Sequence, residues 1–259
     1  MPARIKRALT SLALLILLAP ASALCAPKAA YTWTKLADGI EYAAWSFALD
    51  SEEDRSSIHA FQVDPKKLRI DVVTSPREEN GSTAGELVRN NKALLAINGG
   101  FFTPAHRSIG LIIKDGKEVS PIHGTSWWSI FTISAEGPKI YTPREFKAIR
   151  GVRMALQVGP RLAVDGQIPK LKESEAARSA VGITKDGKVV IAITQGPGIS
   201  MTELAGRMSA SRSAGGLECP NAMALDGGGS SQLYARIKDF ELSLPGLARV
   251  TNGLAVFSK

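Results

Sequence analysis

Asn98 and Asp226 each end a short apolar run and are each followed by glycines. The two stretches read Leu94-Leu95-Ala96-Ile97-Asn98-Gly99-Gly100-Phe101-Phe102 and Ala222-Met223-Ala224-Leu225-Asp226-Gly227-Gly228-Gly229-Ser230-Ser231. Such a pattern sets one polar side chain at the mouth of a buried strand and lets the following backbone approach a ligand closely. A carboxylate in that position is partly desolvated, which suits proton transfer or the binding of a hydroxyl. The same Asp could simply cap a glycine turn. Gly227, Gly228, Gly229, Ser230 and Ser231 favour chemistry, because consecutive N–H and O–H donors can form an anion-binding nest. Asn98 brings an amide that can orient a sugar hydroxyl or a phosphate oxygen but supplies no proton. Phe101, just after Gly99 and Gly100, adds an aromatic wall. Arg178 enters the apolar run Ser179-Ala180-Val181-Gly182-Ile183. Burying a guanidinium without an anion is costly, so it meets either an acid such as Asp226 or the phosphate of a substrate.

Other chemistries fit the residues less well. Gly228-Gly229-Ser230-Ser231-Gln232 lacks the closing glycine of a nucleophile elbow, and His59, His106 and His123 lie in the other half of the chain. Neither glycine cluster is followed by Lys-Ser or Lys-Thr, which removes a P-loop. The histidines have no partners at zinc-ligand spacing, so no metal and no cofactor are expected. Trp127 and Trp128 could stack on a sugar ring, although one of two adjacent strand residues faces the core in any case.

The two glycine turns come at the ends of similar strings of elements. Alternating and β-branched segments predict strands at 57–64 and 68–74, a helix at 83–91 and a strand at 93–98. The second half repeats the order with strands at 180–184 and 189–194, a helix at 201–210 and a strand at 222–226. Two hairpin-helix-strand units facing each other would bring Asn98 and Asp226 to one cleft, although such common elements also recur by coincidence. Further strands are expected at 42–49, 109–114, 128–133, 139–142 and 254–257, with hairpin turns at Asp115-Gly116 and Asp186-Gly187. Thr83 with Glu86 forms a capping-box pattern for the first helix, and Ser200 or Thr202 can cap the second. The fold class is α+β, a sheet-rich single domain with its helices packed on antiparallel-dominated sheets.

Composition sets the outer bounds. The 259 residues are 44% hydrophobic, enough for one large core, and no stretch has the composition of a domain spacer. Arg4, Lys6 and Arg7 precede an uncharged apolar run and the small residues Ala21-Ser22-Ala23, the pattern of a secretory leader at 1–26 ahead of a domain at 27–259. The expected destination is the periplasm or the exterior. The net charge is +8, and removal of the leader's three cations leaves +5. Lys and Arg are scattered without interleaved aromatics, which argues against nucleic acid but allows anionic partners such as phosphorylated glycans. If the leader is cut after Ala23, Cys25 could pair with Cys219, and if it is cut later Cys219 is a lone thiol.

Five blocks taken together resemble the phosphodiester glycosidase family: Asn98-Gly99-Gly100-Phe101-Phe102, Gly110-Leu111-Ile112-Ile113 with Gly116, Gly159-Pro160-Arg161-Leu162 with Gly166, Arg178-Ser179-Ala180-Val181-Gly182, and Leu225-Asp226-Gly227-Gly228-Gly229-Ser230-Ser231. Their order across residues 61–257 is far more specific than any one block. The resemblance implies a hydrolase that cleaves a sugar linked through its anomeric oxygen to a phosphodiester. It would place Asp226, Arg178 and Asn98 at the reaction centre, with Ser179, Gly99, Gly100, Phe101 and residues 227–231 around the substrate. In that picture Arg178 and the backbone N–H groups of 227–230 hold the phosphate, while Asp226 fixes a sugar hydroxyl or activates water. Ser179 stands where threonine is expected, and the cysteine-rich extensions of animal members are missing. The substrate expected for an exported chain is therefore an envelope or exopolysaccharide sugar phosphate. The rival readings are a glycan-binding module without catalysis and a protein that modifies exopolysaccharide assembly through partners.

Overall fold

The computed structural model describes residues 31–49, 55–76, 80–146 and 150–259. The leader and Cys25 lie outside them; Cys219 is buried, and burial pushes its thiol well above the usual range. In chain order the strands are β1 (Thr34–Ala37), β2 (Ile40–Ala48), β3 (Arg55–Val63), β4 (Leu68–Thr74), β5 (Leu95–Asn98), β6 (Ile112–Lys114), β7 (Lys117–Ser120), β8 (Ser129–Ser134), β9 (Gly137–Tyr141), β10 (Val152–Val158), β11 (Arg161–Ala163), β12 (Ser179–Ile183), β13 (Val189–Gln195), β14 (Asn221–Ala224), β15 (Leu233–Ile237), β16 (Phe240–Leu244) and β17 (Asn252–Ser258). The helices are α1 (Ala84–Asn91), α2 (Pro143–Phe146) and α3 (Met201–Ser209).

Three sheets, in which every paired strand runs antiparallel to its neighbour, take the orders β1-β2-β3-β13-β12-β14-β11, β7-β6-β10-β8-β9 and β16-β15-β5-β17-β4. Their inner faces share one core. Ile40, Phe61, Val181 and Ile191 come from the first sheet, Phe131, Met154 and Leu156 from the second, and Ile70, Leu95, Ile97 and Leu254 from the third. β5, β10 and β13 are buried along nearly their whole length, as strands covered on both faces are. α3 covers the outer face of the first sheet through Leu204, Ala205 and Met208, beside Ala180, Ala192 and Ala222. On the far side of the molecule, α1 covers the third sheet through Ala84, Leu87 and Val88, beside Ala96, Tyr234 and Ala255.

The helix starts follow local chemistry. Thr83 Oγ1 accepts from Glu86 N at 3.2 Å while Glu86 Oε2 accepts from Thr83 N at 2.9 Å, the reciprocal capping box. Of the two candidates for α3, Ser200 is the cap; its Oγ accepts from Glu203 N at 3.0 Å. The Asp115-Gly116 and Asp186-Gly187 turns join β6 to β7 and β12 to β13 as hairpins.

The first repeat unit is not a hairpin, and this corrects the sequence reading. β3 pairs with β2 and β13, whereas β4 pairs with β17 in a different sheet. The turn at Asp64, whose carbonyl accepts from Lys67 N and Leu68 N, steps the chain from one sheet across the core to the other. Both strands have core-facing apolar residues on the face that a hairpin partner would share, so each is satisfied only on opposite walls. In the third sheet β17 lies between β4 and β5, and in the first β12 lies between β13 and β14. The likeness of the two halves is thus completed on one side by the last strand of the chain.

Candidate active site

The carboxyl ends of β5 and β14 meet where two sheets adjoin. Asn98 is 0% exposed at the end of β5. Its Nδ2 donates to the Asp226 carbonyl at 2.7 Å, and its Oδ1 accepts from Ser179 Oγ at 2.7 Å and from Gln232 N at 3.1 Å. Backbone bonds add to the joint: Asp226 N donates to the Gly99 carbonyl at 3.0 Å, and Leu225 N to the Ser179 carbonyl at 2.8 Å. One buried amide therefore locks together β5, β12, β14 and the start of β15. The expectation that Asn98 faces a sugar hydroxyl is corrected by this burial; the amide lies beneath both glycine turns and fixes their relative position. Ser179, 1% exposed, lies beneath them too.

The first glycine turn has a second clamp. Asn252 Oδ1 accepts from Gly100 N at 2.7 Å, and the Asn252 carbonyl accepts from Gly99 N at 3.0 Å. Its Nδ2 donates to Ser108 Oγ and Thr251 Oγ1, both at 3.0 Å. A Cβ on Gly99 would fall 2.1 Å from Asn252 Oδ1, so only glycine fits there. Asn252 was not among the expected site residues. The signal was present as Asn252-Gly253 at the head of the last apolar strand, a pair that reads locally as an ordinary turn. Gln232 was missed likewise; it ties the site to α1 by accepting from Ala84 N at 2.7 Å and to the loop after β16 by donating to the Ala248 carbonyl at 2.8 Å.

Asp226 sits above this scaffold, partly exposed. Its Oδ1 accepts from Gly227 N at 2.9 Å, and the Ser230 hydroxyl lies near enough to favour its charged form. Burial pushes the carboxyl above the usual Asp range, with these two groups pulling the other way. The result is a carboxylate more basic than a solvated one.

The glycines after it form a single 3-10 turn, Gly228–Ser230, with Gly228 at φ +58°. The anion nest expected from 227–230 is mostly closed. Gly227 N is engaged by Asp226, Gly228 N by the Ala177 carbonyl at 2.8 Å, and Ser230 N by the Gly227 carbonyl at 3.2 Å. Tight turning consumes these donors, and of the four, Gly229 N alone has no partner among the described residues. Ser231 Oγ is likewise buried without a partner among them.

Arg178 is 6% exposed. Its Nε donates to the Ile199 carbonyl at 3.0 Å, and its Nη2 donates to the Ser174 carbonyl and, at 3.1 Å, to Ser174 Oγ. Nη1 points at the turn, 3.7 Å from where a Cβ on Gly227 would stand. Among the described residues no carboxylate pairs with Arg178. Burial lowers its pKa, opposed only by the more distant Glu173, yet a guanidinium keeps its proton under any ordinary condition. A buried cation held by carbonyls and hydroxyls alone is an arrangement that an anionic ligand completes.

Phe101 leaves the first turn and packs on Trp128, ring centroids 4.9 Å apart, and on Trp127 at 6.5 Å. Trp128 is buried and stacks on His123 at 4.6 Å, while Trp127 is 58% exposed. The second sheet reaches the site through Gly159-Pro160: Ser129 N donates to the Gly159 carbonyl and Ala224 N to the Pro160 carbonyl, both at 3.0 Å. The two glycine turns, Arg178 and Gly159-Pro160 thus meet in one region of the fold, whereas Gly116, whose N donates to the Arg153 carbonyl, and Gly166, whose N donates to the Pro220 carbonyl, lie towards the opposite end of the strands.

A family model described as phosphodiester glycosidase matches residues 91–257. The chain belongs to the phosphodiester glycosidase family. Solved structures related to it share the fold. The catalytic domain of zebrafish N-acetylglucosamine-1-phosphodiester alpha-N-acetylglucosaminidase, auto-inhibited by its pro-peptide, superposes with a TM-score of 0.69 at 18% identity, covering 90% of this chain and 87% of that one. A hypothetical protein from Synechocystis gives 0.65 at 15% identity over 88% of this chain and 64% of the other. In sequence, the uncharacterized protein YigE of Escherichia coli K12 is 23% identical over 158 residues, 54% of this chain and 61% of that protein. This member of the phosphodiester glycosidase family thus spans less than two thirds of that relative. Among its described residues no helix is long and apolar enough to cross a membrane.

Proposed function

We propose that the chain is a hydrolase that releases a free sugar from a sugar-1-phosphodiester and leaves a phosphomonoester. The observation that carries this reading is a buried arginine with no carboxylate partner among the described residues, its Nη1 beside the glycine turn that follows a partly desolvated aspartate. Arg178 Nη1 and Gly229 N are the donors left over for a phosphate oxygen. Asp226, made more basic by burial, takes a proton from water as the water oxygen bonds to the anomeric carbon. The bond between that carbon and the phosphate oxygen breaks, its electron pair stays with the phosphate, and the departing phosphomonoester carries its growing charge beside Arg178. A phosphate leaves readily, so a second carboxylic acid to protonate it is unnecessary. Asn98, Ser179 and Asn252 act as positioning residues, and Phe101 with Trp127 forms the apolar side of the cleft.

The leader pattern and the kinship to the zebrafish enzyme favour an exported protein acting on envelope or exopolysaccharide glycans. Incubating residues 27–259 with a panel of sugar-1-phosphodiesters, N-acetylglucosamine compounds included, and assaying liberated sugar tests the reading. Sugar release that disappears in Asp226→Asn supports it. Tight binding without release, equal in both proteins, shows a glycan-binding module instead.

A further inference from the structure

At the opposite end of the same strands lies a cavity of about 990 Å³. β12 runs from Ser179 at the site to Ile183, β17 from Asn252 to Ser258, and β10 in reverse from Val152 to Val158. Seven residues of strand at about 3.3 Å each separate the two ends by about 20 Å. The cavity is walled by the turns after β3, β8 and β12, so all three sheets contribute.

Its charged lining is mostly basic: Lys66, Arg69, Arg153, Lys185, Lys188 and Lys259. Against these six stand Asp64, Glu136 and Asp186. The two arginines are fixed rather than free, since the buried Asp71 Oδ2 accepts from Arg69 Nη1 at 2.8 Å and Arg153 Nη1 at 3.1 Å. Lys188 is shared between Glu41 at 3.8 Å and Asp186 at 3.6 Å. Lys66 and Lys185 are exposed on separate turns and pair with no acid among the described residues. Lys259 Nζ donates to the Lys66 carbonyl at 2.6 Å. Lysines are point charges without the planar fork that grips one discrete phosphate, so several of them spread over separate turns suit a flexible ligand that repeats its charge. The cavity is at the upper limit for a small-molecule site and is open rather than enclosed.

We propose that this basic groove is a second binding site, taking a linear anionic polymer whose phosphates or carboxylates recur along the chain. It is remote from Asp226, so polymer held there leaves the glycine turns free. The inference does not depend on the hydrolase reading.

Fluorescence anisotropy with labelled linear polyphosphate and labelled polygalacturonate tests it on residues 27–259. Binding of at least one polymer is expected, weakening with added salt as released counterions dictate. The Lys66→Ala/Lys185→Ala double variant should bind about tenfold more weakly, each lost cation removing one ionic contact. Asp226→Asn and the charge-matched control Arg89→Ala/Lys238→Asn should bind as the wild type does; Lys238, at φ +52°, accepts Asn without strain. Which of the two polymers binds names phosphate or carboxylate as the repeating charge. The proposal is overturned if neither binds, if the control pair loses as much as the groove pair, or if Asp226→Asn alone abolishes binding.

Discussion

The two ends of the strands carry polar groups in opposite ways. At the Asp226 end most are buried and held by hydrogen bonds: Asn98 makes three, Asn252 links two turns, and Arg178 donates to two carbonyls. At the Lys185 end Arg69 and Arg153 are held by the buried Asp71, but the lysines stand in open turns and pair loosely, as with Lys188 at 3.6 to 3.8 Å from its acids. Strong local electrostatics need exclusion of water, whereas surface charges are screened and act mainly by attraction over a distance. Glycines divide in the same way. Gly99 is hemmed in by Asn252, but Gly187, at φ +80°, has open space where a Cβ would stand. One end is built for precision and the other for capture.

The sharpest way to break this contrast is at Asp226. Asp226→Asn should lower sugar release about 10²- to 10⁴-fold, the usual worth of a positioned acid–base group, while the protein stays folded. Steady-state assay alongside circular dichroism gives the answer, and retained activity would remove Asp226 from the chemistry. Arg178→Lys comes next. Lysine cannot keep the Ile199 and Ser174 bonds while also meeting the substrate, so kcat/KM should fall about 100-fold, seen in initial rates over a range of substrate concentrations.

Stability measurements sharpen the comparison of glycines. Gly99→Ala should cost about 3 kcal/mol by overpacking against Asn252, but Gly187→Ala only about 1 kcal/mol, from its left-handed backbone alone. Urea midpoints of the two variants decide, and equal losses would deny that the two ends differ. The smallest effect concerns pH. Burial raises the Asp226 pKa above its unfolded value, so the folded state binds that proton more tightly and is relatively favoured in acid. That advantage falls away as pH rises from the unfolded to the folded pKa, and above both the charged form weighs against folding. Asp226→Asn should therefore melt higher than wild type at neutral pH, with the gap closing as pH falls below the usual Asp range. Thermal melts across pH would show this, and a gap independent of pH would contradict it.

What could be read directly from the chain was local. Asp226 before three glycines, the Thr83 to Glu86 capping box, and the Asp115-Gly116 and Asp186-Gly187 hairpins depend on neighbours a few residues away, and the structure has each where the pattern puts it. β1, β7, β10, β11, β15 and β16 escaped notice: β1, β7, β11 and β16 are short edge strands, such as Lys117–Ser120, without a clear apolar alternation, while β10 and β15 lie inside their sheets but carry arginines within their apolar runs. The hairpin expected from β3 and β4 failed because an apolar strand does not state which wall of the core it joins.

The sequence by itself determined the chemical groups, the backbone freedom beside them and the family, since these reside in residue types and short spacings. Only the tertiary structure decided that Asn98 lies beneath the two glycine turns, that Arg178 pairs with no carboxylate among the described residues, that Asn252 braces the first turn, and that lysines from distant turns line one cavity. Those facts rest on which strands become neighbours. That choice is made by burial summed over three sheets, and no local stretch of chain contains it.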